Sequence, residues 1–111
     1  MNDTPALAYV VLRCSDLERS RMFYEALGVA LRAEQHGAGA RHYSMTLGDV
    51  VIELYPIQGE PSAGVRVGLR VADPSAAVAS VRAAGGEVVR VDADGALVRD
   101  PDGHTIHLAA G

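Results

Sequence analysis

Residues 6 to 14 form an apolar, β-branched run that gives way to Ser15-Asp16-Leu17-Glu18, a sequence with the capping-box spacing of a helix start. A strand is therefore predicted to hand over to a helix. Leu17, Phe23 and Leu27, with Ser20 and Tyr24, fall near helical spacing, and Gly28 stands where a left-handed cap would stop the helix. Strands are predicted next at about 29–36, 41–47 and 49–55, broken by Gly37-Ala38-Gly39 and by the Gly48-Asp49 turn. The same grammar then recurs. A strand at 65–71 leads to Asp73 as N-cap and Pro74 at the first helical position, followed by an apolar stripe of Val78, Val81 and Ala84 or Gly85. Short strands near 86–91, 96–99 and 104–109 complete it, separated by Asp94-Gly95 and by the turn sequence Asp100-Pro101-Asp102-Gly103.

The recurrence is literal in places. Val10-Val11-Leu12-Arg13-Cys14-Ser15-Asp16 returns as Val67-Gly68-Leu69-Arg70-Val71-Ala72-Asp73 at an offset of 57, and Ile52-Glu53-Leu54 returns as Ile106-His107-Leu108 at an offset of 54. The second copy has lost three residues in its middle. The fold class that follows is α+β: two tandem βαβββ modules, about 5–56 and 64–110, forming curved mixed sheets around a concave cavity. The 111 residues fit one domain, with 56–64 as the linker between modules. Duplication implies a pseudo-twofold axis, near which equivalent positions are expected to meet.

Strand alternation then selects the candidate chemistry. Tyr9, Val11 and Arg13, with their equivalents Arg66, Gly68 and Arg70, share one face, while Val10, Leu12, Cys14 and Val67, Leu69, Val71 share the other, which is apolar and should pack under a helix. In the closing strands Glu53 and His107 point away from their apolar neighbours. Four polar residues at duplicated positions, Tyr9, Glu53, Arg66 and His107, are thus expected to converge, and crevices between duplicated halves are favoured ligand sites. A sheet whose outer face is merely wet shows the same alternation; the duplication tips the reading towards a site. His42, which alternates with Tyr43 together with Ser44 and Thr46, is a further candidate for contact with a ligand. His36 reads as a loop residue, His104 receives no role, and Cys14 reads as a packing residue on the apolar side.

Composition narrows the classes of function. With 49% hydrophobic and 22% charged residues the chain has an ordinary globular composition, and a net charge of −4 argues against generic nucleic-acid binding. Apolar runs are far too short to span a membrane, and no basic stretch followed by an apolar one opens the chain, so a cytoplasmic protein is expected. The single cysteine excludes an internal disulfide. Gly37 and Gly39 lack the Lys and Ser or Thr of a phosphate loop, and Asp92-Ala93-Asp94-Gly95 is too short for a calcium loop.

Leu12-Arg13-Cys14-Ser15-Asp16-Leu17-Glu18-Arg19-Ser20 followed by Phe23-Tyr24 and Leu27-Gly28, then Val51-Ile52-Glu53-Leu54, then Asp100-Pro101-Asp102-Gly103-His104 leading to Ile106, together resemble the vicinal oxygen chelate superfamily. That superfamily includes glyoxalase I, bleomycin-resistance proteins and extradiol dioxygenases. The resemblance covers nearly the whole chain and implies the same paired βαβββ modules. It also implies metal ligands at the positions of Tyr9, Glu53, Arg66 and His107, where the metal-dependent enzymes carry His or another neutral donor first and third and commonly Glu fourth. Glu53 is the expected carboxylate, and His107 is a competent ligand in an altered place. Arg66 offers only donors and a fixed positive charge, and Tyr9 is a poor ligand with its phenol protonated. Arg13 has the spacing of a glyoxalase I arginine that grips a glutathione carboxylate.

The reading is a small-molecule binding protein of the glyoxalase and bleomycin-resistance type, without a catalytic metal, in which Arg66 pairs with Glu53 in place of the cation. Antibiotic sequestration is one role it would serve. The expected binding set is Tyr9, Arg13, His42, Glu53, Arg66 and His107, taking a small anionic or zwitterionic molecule. The alternative is an enzyme in the same cavity, either a lyase or dioxygenase holding a divalent metal through Glu53, His107 and His42, or a metal-free catalyst with Glu53 as base. A homodimer is expected, since each four-stranded unit leaves open edges and dimers are common in the family.

Overall fold

The structure is a computed structural model that describes residues 4–59, 62 and 64–111. The elements follow in the order β1 (Tyr9–Cys14), α1 (Leu17–Ala26), β2 (Arg32–Glu34), β3 (His42–Leu47), β4 (Val50–Pro56), β5 (Arg66–Val71), α2 (Pro74–Ala83), β6 (Glu87–Asp92), β7 (Gly95–Arg99) and β8 (Thr105–Ala110). They form two four-stranded sheets of matching order, β1-β4-β3-β2 and β5-β8-β7-β6. Each is mixed: β1 runs parallel to β4 and β5 parallel to β8, while the other pairs are antiparallel. The expected pair of βαβββ modules is therefore present, each sheet remaining open with a helix on one side.

Both helices start and stop by the same devices. Asp16 accepts hydrogen bonds from the amides of Glu18 and Arg19, and Asp73 accepts one from Ala76, so each acidic side chain satisfies donors that a helix start leaves unpaired. The cap is Asp16, whereas the Ser15-to-Glu18 spacing had suggested a box closed by Ser15. Ser15 instead donates its amide to Asp102, and the Glu18 carboxylate accepts from the Tyr43 hydroxyl. At the other ends Gly28 and Gly85 adopt φ of 90° and 79°, a left-handed conformation that turns the chain out of the helix.

The two sheets share one core. Leu12, Cys14, Tyr43, Met45, Ile52 and Leu54 from the first module pack with Val98, Ile106 and Leu108 from the second, and Phe23, Tyr24, Val78 and Val81 of the helices fill the space between. Leu12, Leu54, Ile106 and Leu108 are fully buried, each contributing about 1.5–3 kcal/mol by leaving water. The apolar face of β5 is the exception. Val67, Leu69 and Val71 are only half-buried, because α2 packs over β6, β7 and β8 and leaves β5 at the margin. There Leu69 and Val71 line a groove of about 670 Å³ with Leu27, Val29 and Leu47. No helix among the described residues is long and apolar enough to cross a membrane.

Candidate functional site

The face of the first sheet that points away from the helices is built as a row across all four strands. Arg13 on β1 pairs in register with Tyr55 on β4, and Glu34 on β2 pairs with His42 on β3. The side chains continue the row. The Arg13 guanidinium lies 5.5 Å from the Tyr55 ring centre, Tyr55 stacks on His42 at 4.1 Å with 11° between planes, and His42 Nε2 is 3.5 Å from Glu34 Oε1. Glu53, in the adjacent row opposite Val11 and Ser44, reaches the same imidazole nitrogen at 3.3 Å.

At the Arg13 and Tyr55 end of this row lies a cavity of about 370 Å³ lined by Tyr9, Val11, Arg13, Gly39, Ala40, Glu53, Tyr55 and Gln58. Its lining mixes two aromatic rings, one guanidinium and one carboxylate, the combination of apolar wall and few oriented polar groups that small-molecule sites use. Arg13 is held there by its backbone amide, which donates to Ser62 Oγ at 2.9 Å, and by a 3.4 Å hydrogen bond from its guanidinium to the Pro56 carbonyl. Among the described residues it has no carboxylate partner. An anion can therefore approach a cation that is already oriented.

Of the expected binding residues, the structure brings Tyr9, Arg13 and Glu53 to one cavity and sets His42 against Glu53. It places Arg66 and His107 on the other sheet, where they pair in register with Thr105 and Gly68. The cavity beside Glu53 draws its lining from the first module and the start of the linker. Among the described residues no ion pair joins Arg66 to Glu53. The expected pairing within the chain is replaced by His42, whose strand lies beside β4 in the same sheet.

A divalent cation at the four duplicated positions does not fit this chain. Arg66 would place a permanent positive charge and no lone pair among the ligands, Tyr9 is exposed and offers only a phenol, and two remaining ligands are too few for a tight site. Sequence reasoning passed over Glu34 and Tyr55 and set His36 aside. Tyr55 follows Glu53 by two residues and so shares its face, and a hairpin centred on Ala38 pairs Glu34 with His42. Both signals are present in the chain.

A second histidine cluster looks equally catalytic and is built differently. Asp100 Oδ2 accepts from the Tyr24 hydroxyl at 2.7 Å and lies 2.7 Å from His104 Nδ1, while Asp100 Oδ1 takes the amides of Asp102 and His104. Asp102 in turn accepts from the Ser15 amide and Ser20 Oγ. The cluster therefore ties the Asp100–His104 turn of the second module to the first turns of α1. Burial pushes the Asp100 carboxyl up, but hydrogen bonds from His104 and Tyr24 and the imidazolium charge outweigh it and hold the group below its ordinary range. The hydrogen bond to Asp100 raises His104, and burial beside Asp100 drives the Tyr24 phenol far up. Cys14, buried beneath the same turn, is pushed up to about 11 by desolvation, which leaves a neutral thiol and no nucleophile.

Solved structures carry the same architecture. An antibiotic binding protein, TnmS3 from Streptomyces sp. CB03234, superposes with a TM-score of 0.77 at 25% identity, covering 99% of this chain and 98% of that one. Glyoxalase I of Leishmania major gives 0.77 at 26% identity over 96% of this chain and 87% of the enzyme. A glyoxalase/bleomycin resistance protein from Streptomyces sp. CB03234 gives 0.72 at 27% identity over 94% and 99%. No curated protein sequence matches the chain. The sequence profile that does match spans residues 6–108, and by it the chain belongs to the Glyoxalase/Bleomycin resistance protein/Dioxygenase superfamily.

Proposed function

We propose that this protein binds a small anionic or zwitterionic molecule on the outer face of its first sheet, without a catalytic metal at the four duplicated positions. The observation that carries the reading is Arg13, whose guanidinium lies over Tyr55 at the wall of the Glu53 cavity with no carboxylate partner among the described residues. A carboxylate on an aromatic ligand would pair with Arg13 while its ring packs against Tyr55 and Tyr9. The likeness to an antibiotic binding protein supports sequestration of an antibiotic as the physiological role. A cytoplasmic location suits the buried, unpaired Cys14.

A homodimer would complete the site. The cavity has a floor and one wall from a single module, and β1 and β5 are edge strands in their sheets. A second copy set along those edges brings Arg66 and His107 of one chain towards Tyr9 and Glu53 of the other, which restores the pairing of duplicated positions that one chain does not make. Light scattering at micromolar concentration should give twice the chain mass; a monomer would refute this assembly.

One observation favours a second reading, that the site is catalytic: Glu53 lies 3.3 Å from His42 Nε2 and can exchange a proton with it. Glu53 would then abstract a proton from bound substrate, and Arg66 from a partner chain would stabilise the resulting oxyanion. Screening antibiotics and small aromatic acids by thermal shift, followed by titration of Arg13→Ala and Glu53→Gln, separates the readings. Binding lost in Arg13→Ala supports a ligand site. Turnover lost in Glu53→Gln with affinity kept supports catalysis.

A further inference from the structure

We infer that Glu34, His36 and His42, with Glu53 as the fourth group, form a divalent-cation site of the zinc class that shares only Glu53 with the four duplicated positions. The imidazole of His42 decides the case. It is 1% exposed, and its Nδ1 lies 3.1 Å from the Ala40 carbonyl, an oxygen that can only accept, so Nδ1 donates there and Nε2 is the nitrogen turned towards the carboxylates. That nitrogen faces Glu34 Oε1 at 3.5 Å and Glu53 Oε2 at 3.3 Å in a half-buried place. The Tyr55 hydroxyl lies 3.4 Å from the same nitrogen, so three side-chain oxygens gather about Nε2, an arrangement that a cation can use. A hydrogen bond from the distal ring nitrogen to a backbone carbonyl is also how metal-binding histidines are oriented.

The spacing fits a metal. A tetrahedral ion with bonds of about 2.0 Å separates its ligand atoms by about 3.3 Å. The two carboxylate distances from Nε2 match that edge, and one ligand atom each from Glu34, His36 and His42 lie within 4.8 Å of one another. His36 is exposed, with its ring 5.2 Å from that of His42, so rotation of its side chain closes the remaining distance. Two carboxylates and two neutral imidazoles carry a charge that a divalent ion cancels. Imidazole and carboxylate donors in fourfold arrangement suit zinc, cobalt and nickel rather than calcium or magnesium. This inference does not depend on the small-molecule reading.

The test is titration of metal-free protein with zinc against a chromophoric chelator, with cobalt(II) absorption as a second readout of tetrahedral coordination. One equivalent should bind, and the double variant Glu34→Gln/His36→Ala, altered outside the core, should lose more than about a hundred-fold in affinity together with the visible cobalt bands. His107→Ala should bind as the wild type does. His42→Ala should bind no zinc, and its circular dichroism shows whether the fold persists. Absence of binding by the wild type would overturn the inference, with a second imidazole proton then filling the place. So would zinc binding that survives the double variant and is lost in His107→Ala.

Discussion

His42 and His104 are both almost fully buried and both lie against carboxylates, yet their surroundings differ. At His104 a single carboxylate, Asp100, has no exposed side-chain surface, and its oxygens are consumed by Tyr24, His104 itself and two backbone amides. At His42 two carboxylates face one nitrogen, and the Glu53 and Glu34 side chains keep 16% and 26% of their surface open. Burial and a carboxylate partner are therefore insufficient to mark a site. Charged side chains left open to solvent, Arg13 among them, distinguish the outer face of the sheet from the seam between modules.

Substitutions should separate the two regions by the quantity each disturbs. Asp100→Ala is expected to cost the most, about 3–5 kcal/mol in urea unfolding, because it strands the Tyr24 hydroxyl and the His104 imidazole in the core. Tyr24→Phe removes one donor to the same carboxylate and should cost about 1.5–3 kcal/mol, with ligand binding on the outer face unchanged. Were it to abolish binding at full stability, the division between seam and site would fail.

The pH dependence of stability follows from the seam as well. His104 is raised in the folded protein, so its contribution is complete below the ordinary imidazole value of about 6.5 and is lost as pH rises through the folded value. Asp100 is lowered, so its contribution is complete above the ordinary carboxylate value of about 3.9 and is lost as pH falls through its folded value. Urea midpoints should therefore decline from pH 6 to pH 9 in the wild type and decline less in His104→Gln. The smallest effect is expected at Arg66→Ala. This side chain is exposed and makes no ion pair among the described residues, so stability should change by less than about 0.5 kcal/mol. If the proposed dimer forms, the same change weakens ligand binding.

The chain announced its fold more readily than its site. Alternation and the literal repeat of Val10–Asp16 at Val67–Asp73 were enough for two βαβββ modules, because one-sided burial enforces that pattern in every strand. The proposed site follows a different rule. Duplication drew attention to positions that recur, whereas the row on the first sheet does not recur: by register the counterparts of Tyr55 and His42 are Ala109 and Gly95. Gly95 could not carry a side chain, since a Cβ there would lie 1.9 Å from the Leu108 carbonyl oxygen. Asymmetry between the copies, once register was known, located Tyr55, Glu34 and His36. His104 was illegible for another reason. Its partner Tyr24 lies 76 residues from Asp100, and only the packing of α1 against the second module joins them.

The central claim, that the outer face of the first sheet is the functional surface and the seam is structural, is tested most directly by chemical-shift mapping. Nitrogen-labelled protein would be titrated with a panel of aromatic carboxylates and antibiotics, following backbone amides and histidine side chains together. The account predicts shifts concentrated at Arg13, Tyr55, His42 and Glu53, with Asp100 and His104 unmoved. Shifts centred on Asp100 and His104, with the Arg13 row silent, would contradict it.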